Sequence, residues 1–492
     1  MKLSKLINTD EYVRLSGDLR REISVITTTP ESESENALLI LLKDISLINL
    51  KDSDLCFSAI ICTENLFEEL YGRFDATLVA VKSPRKAWAM AESRIRSIDY
   101  TKIKFVAVTG TNGKTTTARL IQAMLESGGA KTGFIGTGAI ESLGVRLSDN
   151  FYSMTTPDPN ILYPAIKRMQ DDGVDHVVME VSSHALHFEK TAPIRFELSL
   201  FTNISPEHLD FHGTIEEYTA TKLKLTHCSN LTVLNVDDPR LRAIYENLKS
   251  QKRGFGVLWD SDCRATDLED MGFDGFRFIY REERFSFFAN SSLVGKFNLY
   301  NALGALCAAI ALGVPPCIAK TVLSHLKGLR GRFECVYKGK IRAIIDYAHS
   351  EEAFRALLSS ARSYTKGRLS VLFGCGGERY RGKRAVMAKI AESYSDLVYL
   401  TSDNPRGEPP ERIFDDVISG FSEGYGYKLI PDRAEAIRRA IIDAKDGDTL
   451  LLVGKGAEEY NLDAAGYHSF KEREILLSAI EEREAKTGES RA

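Results

Sequence analysis

The chain has 492 residues, with 64 Lys and Arg against 68 Asp and Glu, a net charge of −4. That near-balance excludes a broad basic surface for nucleic acid, and no apolar run approaches the roughly 18 residues that a membrane span needs. Hydrophobic residues make up 43%, enough for full cores, and at roughly 150 residues per domain the length points to about three domains.

The first residues, "MKLSKLINTDEYVRLSG", hold no apolar signal core. Short apolar runs follow ("EISVITTT", "ALLILLK", "ATLVAV"), then a charged helical pattern, "RKAWAMAESRIRSI". Residues 104–126, "KFVAVTGTNGKTTTARLIQAMLES", read as a strand, a tight glycine loop and a helix. Strand-like runs "HVVMEVSS", "LSLFTNIS" and "NLTVLNVDD" alternate with helical patterns "ILYPAIKRMQDDG" and "TIEEYTATKLKLTH". That alternation predicts a parallel α/β sheet. Residues 297–326 read as two helices. A further α/β series begins near residue 335 with "RAIIDYA", "RLSVLFG", "DLVYLTSD" and "GDTLLLVGKG". The last dozen residues, "EEREAKTGESRA", are polar and are expected to fray. Eight cysteines are scattered without C-x-x-C or zinc-like spacing, as in a reduced cytosolic protein. The expectation is a cytoplasmic enzyme acting on small molecules.

"GTNGKTTT" sits where a phosphate loop belongs, after a strand and before a helix. Gly110 and Gly113 let backbone N–H groups close on phosphate oxygens, Lys114 supplies a cation, and Thr115 offers a hydroxyl to Mg²⁺. Val108 stands where the full phosphate-loop pattern has glycine. The alternative is a glycine turn closing a core strand. Glu180 ends an apolar strand and suits Mg²⁺ as a hard carboxylate, or is simply an acid at a strand end. "NISPEHLDFHG" places two His and two acids after another strand, and ligands gather at the carboxyl ends of strands in open α/β sheets. Lys222, taken alone, reads as a solvated helix residue. "TSDNPRGEPP", residues 401–410, reads either as a surface turn or as a loop built around Arg406.

These motifs occur in one order with "TTPDP", "GKFNLYNA", "GLRGRFE", "FGCGGER…GKR" and "GKGAEEY". Together they resemble the Mur ligase family over residues 104–475, most nearly the members that add a diamino acid to UDP-MurNAc-L-Ala-D-Glu. The resemblance implies an α/β fold in three domains: residues 1–103 for the UDP end, 104–333 for ATP, and a Rossmann-like 334–492 for the amino acid. It implies an ADP-forming ligation through an acyl phosphate, with ATP and Mg²⁺. It implies ATP contacts from Gly110, Thr111, Asn112, Gly113, Lys114, Thr115, Thr116, Asn298 (adenine), Arg332 (γ-phosphate), Asp346 (ribose) and His349. Mg²⁺ ligands are then Thr115, Glu180, His208 and a carbamylated Lys222, with Lys114, Lys222, His208 and Arg332 as the catalytic set. Thr155, Thr156, Ser182 and Lys190 fall on the acceptor dipeptide, and Arg379, Asp403, Asn404, Arg406, Gly454 and Glu458 on the diamino acid. Arg406 suits the distal carboxylate of meso-diaminopimelate, with lysine or ornithine as the other amino acids of this class. The family is usually monomeric and handles neither nucleic acid nor membrane.

The chain departs from the family pattern in several places. The Asp-Ser-Arg and Asp-Gly-His of the uridine site have no counterpart in "VITTTPESESENALLILLKD". Phe188 and Lys190 stand where the family has Gln and Arg. Glu207 replaces an Asp, Ala457 a His, and Ser350-Glu351-Glu352 a Thr-Pro-Asp. A relative that loads a different carboxylate acceptor is the alternative these changes raise.

Overall fold

The computed structural model describes residues 1–30, 36–42, 57–148 and 155–489. Parts of the stretch expected to carry uridine recognition, residues 31–35 and 43–44, lie outside the described residues. The chain forms two compact units interleaved in sequence. One comprises residues 1–109, 129–200 and 219–232; the other comprises residues 110–128, 201–218 and 233–492.

The first unit holds a five-stranded sheet in the order Tyr12–Ser16, Thr77–Val81, Ala59–Cys62, Ala37–Ile40, Val25–Thr27. The first pair is antiparallel and the rest are parallel. Its central strands are buried throughout and apolar at every position but Thr77, because helices or loops cover both faces. Leu39, Ile60, Cys62, Leu78 and Ala80 enter one core, and their neighbours Leu38, Ile40, Ala59, Ile61, Val79 and Val81 enter another. That division is the period-two alternation of a strand. A second sheet of this unit places Lys104–Thr109 beside His176–Glu180, and His176–Glu180 beside Thr132–Gly136, all parallel. A meander of Ala139–Ser142 and Val145–Ser148 forms its edge beyond Thr132–Gly136, and Phe196–Phe201 lies beside Lys104–Thr109 on the other side.

The second unit carries Lys252–Gly256, Cys263–Asp270, Phe276–Arg281 and Ser286–Ser291 in that order. It also carries a six-stranded sheet in the order Glu334–Lys338, Arg342–Asp346, Thr449–Val453, Leu369–Phe373, Leu397–Leu400, Tyr427–Leu429. The last five strands are parallel, so all their carboxyl ends face the same edge. Alternation again feeds two cores: Ile344, Val371, Phe373, Val398, Leu400, Leu451 and Val453 on one side, Ala343, Ile345, Leu372, Tyr399, Leu450 and Leu452 on the other. The helices between these strands follow from local rules. In Glu351–Tyr364 the buried residues Phe354, Leu357, Leu358 and Ala361 recur at helical spacing. Ser350 caps it by accepting from the Ala353 N–H, and Glu351 and Glu352 sit at the positive end of its dipole.

The helix Glu472–Glu489 runs through most of the last dozen residues, where fraying was expected. Leu476, Ala479 and Ile480 are buried in the core of this sheet. Arg483 bonds the Ala444 carbonyl at 3.1 Å. Tertiary contacts on one face extend the helix past the point where composition alone would end it. Its start is fixed by a buried ion pair: Arg433 Nε donates to Glu472 Oε1 at 2.7 Å, and Arg433 Nη2 donates to the Val453 carbonyl at 3.1 Å.

Replacing Arg433 by Met strands the Glu472 carboxylate in the interior. We expect a loss of about 3–5 kcal/mol, measured by urea unfolding followed by circular dichroism. A loss below about 1 kcal/mol, the size typical of an exposed pair, contradicts a buried pair.

Candidate active site

The glycine loop belongs to the second unit. Gly110 and Gly113 have φ of +144° and +84°, a region that favours glycine. Space forbids a side chain as well: a Cβ at Gly110 would lie 1.9 Å from Thr202 Oγ1, and one at Gly113 would lie 2.2 Å from Asn301 Oδ1. Gly113 caps the helix Lys114–Ser127 without a side-chain acceptor. The first N–H groups of that helix therefore face the loop as donors. The loop is held from behind. Asn203 accepts from the Asn112 N–H at 2.9 Å and donates to the Asn112 carbonyl at 3.0 Å. Thr111 Oγ1 lies 3.1 Å from the Ser205 carbonyl and accepts from the Ser205 N–H at 2.9 Å.

Lys114 Nζ donates to the carbonyls of Gly110 at 3.0 Å and Thr111 at 2.8 Å, so the ammonium lies over its own loop. Arg332 Nη2 donates to Thr115 Oγ1 at 3.3 Å, with its guanidinium 4.3 Å from the Tyr347 ring centre. Two residues far apart in sequence thus meet at the helix start. Thr116 is buried within the helix. Asn298 is buried too, donating to the Val294 carbonyl at 2.8 Å and accepting from Asn301 at 3.0 Å.

Asp346 ends its strand and accepts from the Phe333 and Ala348 N–H groups at 2.6 Å each. Burial pushes its carboxyl above the usual carboxylate range, against the pull of Arg332. His349 Nε2 lies 3.7 Å from Glu207, the neighbour of His208, and His208 has a left-handed φ of 55°. Ser350 donates to Asn112 at 3.3 Å. The carboxyl edge of the six-stranded sheet and the phosphate loop therefore meet within this unit.

A second cluster occupies the same edge. Arg406, with φ of 55°, donates through Nη1 to the Gly377 carbonyl at 2.9 Å, and its N–H donates to the Leu462 carbonyl at 3.0 Å. Arg379 stands beside it, and burial together with the Arg406 charge lowers the Arg379 pKa. The Asn404 side chain joins two loops: its Oδ1 accepts from Lys455 Nζ at 3.1 Å and from the Leu462 N–H at 3.0 Å, and its Nδ2 donates to Glu458 at 3.0 Å. Burial raises the Glu458 carboxyl, while Lys455 and Arg433 hold Asp403 below its usual range despite its burial. Gly454, at φ of 115°, leaves room for Asp403 Oδ2, which would lie 2.9 Å from a Cβ there. Arg384 braces the loop, bonding Glu408 through both terminal nitrogens at 2.7 and 2.8 Å and Asp416 at 2.8 Å.

The first unit gathers the remaining residues. Glu180 is fully buried, with Oε1 accepting from the Thr137 N–H at 2.9 Å and Oε2 from the Thr137 hydroxyl at 3.2 Å. Thr137 Oγ1 reaches Thr155 Oγ1 at 3.3 Å. Thr156 donates to the Glu180 carbonyl at 2.9 Å and accepts from the Ser182 N–H at 3.0 Å. Lys222, read from sequence alone as a solvated helix residue, is 1% exposed. Its Nζ lies 3.3 Å from Thr109 Oγ1, which donates to the Val181 carbonyl beside Glu180. A cation in so dry a place is costly, and conversion to a carbamate would make it an oxygen donor suited to Mg²⁺. Lys190 is 3% exposed and lies 2.7 Å from Asp158.

Among the described residues no group of three His, Cys, Asp or Glu forms a metal cage. Mg²⁺ at nucleotide sites is held by a few protein oxygen ligands completed by phosphate oxygens; Thr115 and Glu180 fit that chemical type, His208 adds an imidazole, and Lys222 would fit only as a carbamate. Sequence reasoning did not single out Asn203, Asn301, Arg384 or Lys455. Asn203 and Asn301 stand inside the motifs "FTNIS" and "GKFNLYNA"; what they touch is set by segments 90 or more residues away.

The middle of the chain, residues 108–309, matches the family model described as Mur ligase middle domain. Residues 331–456 match the model described as Mur ligase, glutamate ligase domain. A protein of Clostridium tetani named UDP-N-acetylmuramoyl-L-alanyl-D-glutamate–2,6-diaminopimelate ligase is 34% identical over 489 residues, covering 98% of this chain and 100% of that one. Its namesake from Aquifex aeolicus is 36% identical over 405 residues, covering 82% and 83%. A solved structure bearing the same ligase name superposes with a TM-score of 0.68 at 26% identity, covering 98% of this chain and 99% of that one. E. coli FolC in complex with ADP shares the fold, at a TM-score of 0.61 and 20% identity over 82% of this chain and 94% of that one.

Two outcomes test the site's construction. Gly110→Ala drives a methyl into Thr202, an overpacking that costs about 1–3 kcal/mol; calorimetry with ATP should show affinity about tenfold or more weaker, with the circular dichroism spectrum unchanged. Arg384 holds Glu408 at about 2 from 4.5, and Arg381 first, with Arg384, holds Asp416 at about 2 from 3.8. A lowered folded pKa stabilises above the unfolded value and is lost as pH falls through the folded one. The melting-temperature gap between wild type and Arg384→Met should therefore be full at pH 6 and shrink steadily from about pH 4.5 toward 2.

Proposed function

The chain belongs to the Mur ligase family, and from that premise we propose that it joins meso-diaminopimelate to the D-Glu carboxylate of UDP-MurNAc-L-Ala-D-Glu at the expense of ATP, in peptidoglycan precursor synthesis. The observation that carries the choice of amino acid is the Arg379–Arg406 pair at the carboxyl edge of the six-stranded sheet. Relatives matched over 98% of the chain, its first hundred residues included, favour this acceptor over another carboxylate.

Three stretches divide the work in this reading. Residues 1–103 receive the nucleotide-sugar end, 104–333 bind ATP, and 334–492 bind the amino acid. Backbone N–H groups of Gly110–Thr116 enclose the phosphates. Lys114 leaves its loop carbonyls for the phosphate oxygens. Arg332 sits beside Thr115, where a planar fork stabilises charge on the transferred phosphoryl group. Asp346 and His349 take the ribose, and Asn298 the adenine side. Thr115, Glu180, His208 and Lys222, the last as a carbamate, would hold Mg²⁺, which would supply charge neutralisation at the phosphate oxygens. Thr155, Thr156, Ser182 and Lys190 shape the acceptor side. The acceptor carboxylate attacks the γ-phosphorus of ATP and displaces ADP, giving an acyl phosphate; the neutral amine of diaminopimelate attacks its carbonyl carbon, and the amide forms as inorganic phosphate and a proton leave. Asp403, Asn404, Gly454 and Glu458 hold the far end of the diamino acid, with Glu458 and Asp403 facing its ammonium and Arg406 its carboxylate. The protein acts as a cytoplasmic monomer on small molecules; among the described residues no helix is long and apolar enough to cross a membrane.

The test is incubation with ATP, Mg²⁺, bicarbonate and UDP-MurNAc-L-Ala-D-Glu, offering diaminopimelate, lysine and ornithine separately and measuring product mass and phosphate release. We expect the diaminopimelate product, no turnover by Lys114→Ala, and in Arg406→Ala a diaminopimelate kcat/KM lowered by about 2–5 kcal/mol with ATP binding unchanged. A product with lysine alone overturns the amino-acid assignment.

A further inference from the structure

Phe188 and Lys190 stand where the family pattern has Gln and Arg, and the structure shows what each does instead. Lys190 is taken up internally: its Nζ lies 2.7 Å from Asp158 Oδ1 and 3.3 Å from the Thr156 carbonyl. Its charge is neutralised and buried, so it has little left to offer a substrate. Phe188 faces a different cation. The Arg85 guanidinium lies 4.0 Å from its ring centre.

Arg85 comes from the helix Pro84–Ile95, whose cap Ser83 also donates to the Glu189 carboxylate and so ties the helix start to the Phe188 turn. Arg85 is half-buried, and burial lowers its pKa against the opposing pull of Asp158. Among the described residues no carboxylate lies within ion-pair distance of it. His187 meets Phe188 edge-on at 5.0 Å, and burial with the charges of Lys224 and Arg85 lowers the His187 pKa. Lys224 is a second cation near this turn, and Glu189 and Asp158 are its carboxylates. Ser182, which bonds Thr156 on the acceptor side of the proposed reaction, caps the short helix Ser183–His187 that ends at Phe188.

A guanidinium stacked face-on against a ring keeps its N–H donors in plane, aimed outward as a fork for a carboxylate or phosphate. Half-desolvated, with no carboxylate at ion-pair distance among the described residues, it gains from an anion. We infer that Arg85, oriented by Phe188, binds an anionic group of the acceptor and supplies the cation that position 190 no longer provides. The inference rests on the proposed acceptor being the nucleotide-sugar dipeptide. The anion is its glutamyl carboxylate or its diphosphate.

The experiment is steady-state kinetics of Arg85→Met, Arg85→Lys and Phe188→Leu, varying each substrate in turn, with UDP-MurNAc-L-Ala as a competitor that lacks the glutamyl group. Loss of a charge-assisted bond predicts an acceptor KM about tenfold or more higher in Arg85→Met, with KM for ATP and diaminopimelate within about twofold and an unchanged melting temperature. Arg85→Lys, which keeps the charge but not the fork, falls between. Phe188→Leu shows a smaller rise, again confined to the acceptor. If the competitor weakens as much as the acceptor, the diphosphate is the anion bound; if it does not weaken, the carboxylate is. An unchanged acceptor KM in Arg85→Met, or an equal rise for all three substrates, overturns the inference and leaves the proposed function standing. Wild-type protein that turns over no dipeptide overturns both.

Discussion

A parallel strand covered on both faces has no room for polar chemistry along its length. It can present a polar side chain only where it ends, and the site in each unit follows from that constraint. Asp346, the loops after Phe373, Leu400 and Val453, and hence Arg379, Asp403–Arg406 and Gly454–Glu458, all leave the same edge of one sheet. Glu180 and the start of the phosphate loop stand at strand ends in the other. The apolar runs that make these strands legible are the same runs that force the polar residues together.

Charge within these edges is managed by pairing. Lys455, fully buried, satisfies Asn404 and faces Asp403 at 3.5 Å; Arg384 is gripped by two carboxylates; Arg433 meets Glu472. Each pair fixes a backbone segment that carries a site residue: Lys455 sets which way the Asn404 amide points, leaving its N–H₂ for Glu458. A buried amide with one oxygen claimed by two donors has only one orientation that satisfies everything. The loops are held by electrostatics at a few points rather than by apolar packing along their length.

Much of this was readable in the sequence, and the limits have physical causes. The strand, loop and helix at 104–127 and the α/β alternation after 335 were legible because apolar periodicity and glycine placement are local signals. The grouping of Arg379, Asn404, Arg406 and Glu458 on one edge came from ordered motifs, and the structure brings them together. Lys222 looked solvated because a lysine among charged helix residues usually is; it is buried against a part of the chain that includes Thr109, 113 residues away. Asn203 gave no signal, since an asparagine after a strand is most often a turn residue. Its partner is the phosphate loop, and only three-dimensional proximity reveals it. The C-terminal helix outran its composition for the same reason: Arg483 finds partners that the local sequence does not contain.

The Arg379–Arg406 pair has a consequence for selection among similar amino acids. Two guanidinium groups held side by side repel, and the repulsion is present before any ligand arrives. A carboxylate placed between them relieves it; a bare alkyl ammonium such as the end of lysine or ornithine adds a third positive charge to the two. Discrimination then comes as much from a penalty on the wrong guest as from attraction to the right one. In the proposed reaction that preference is built into the placement of the two cations themselves.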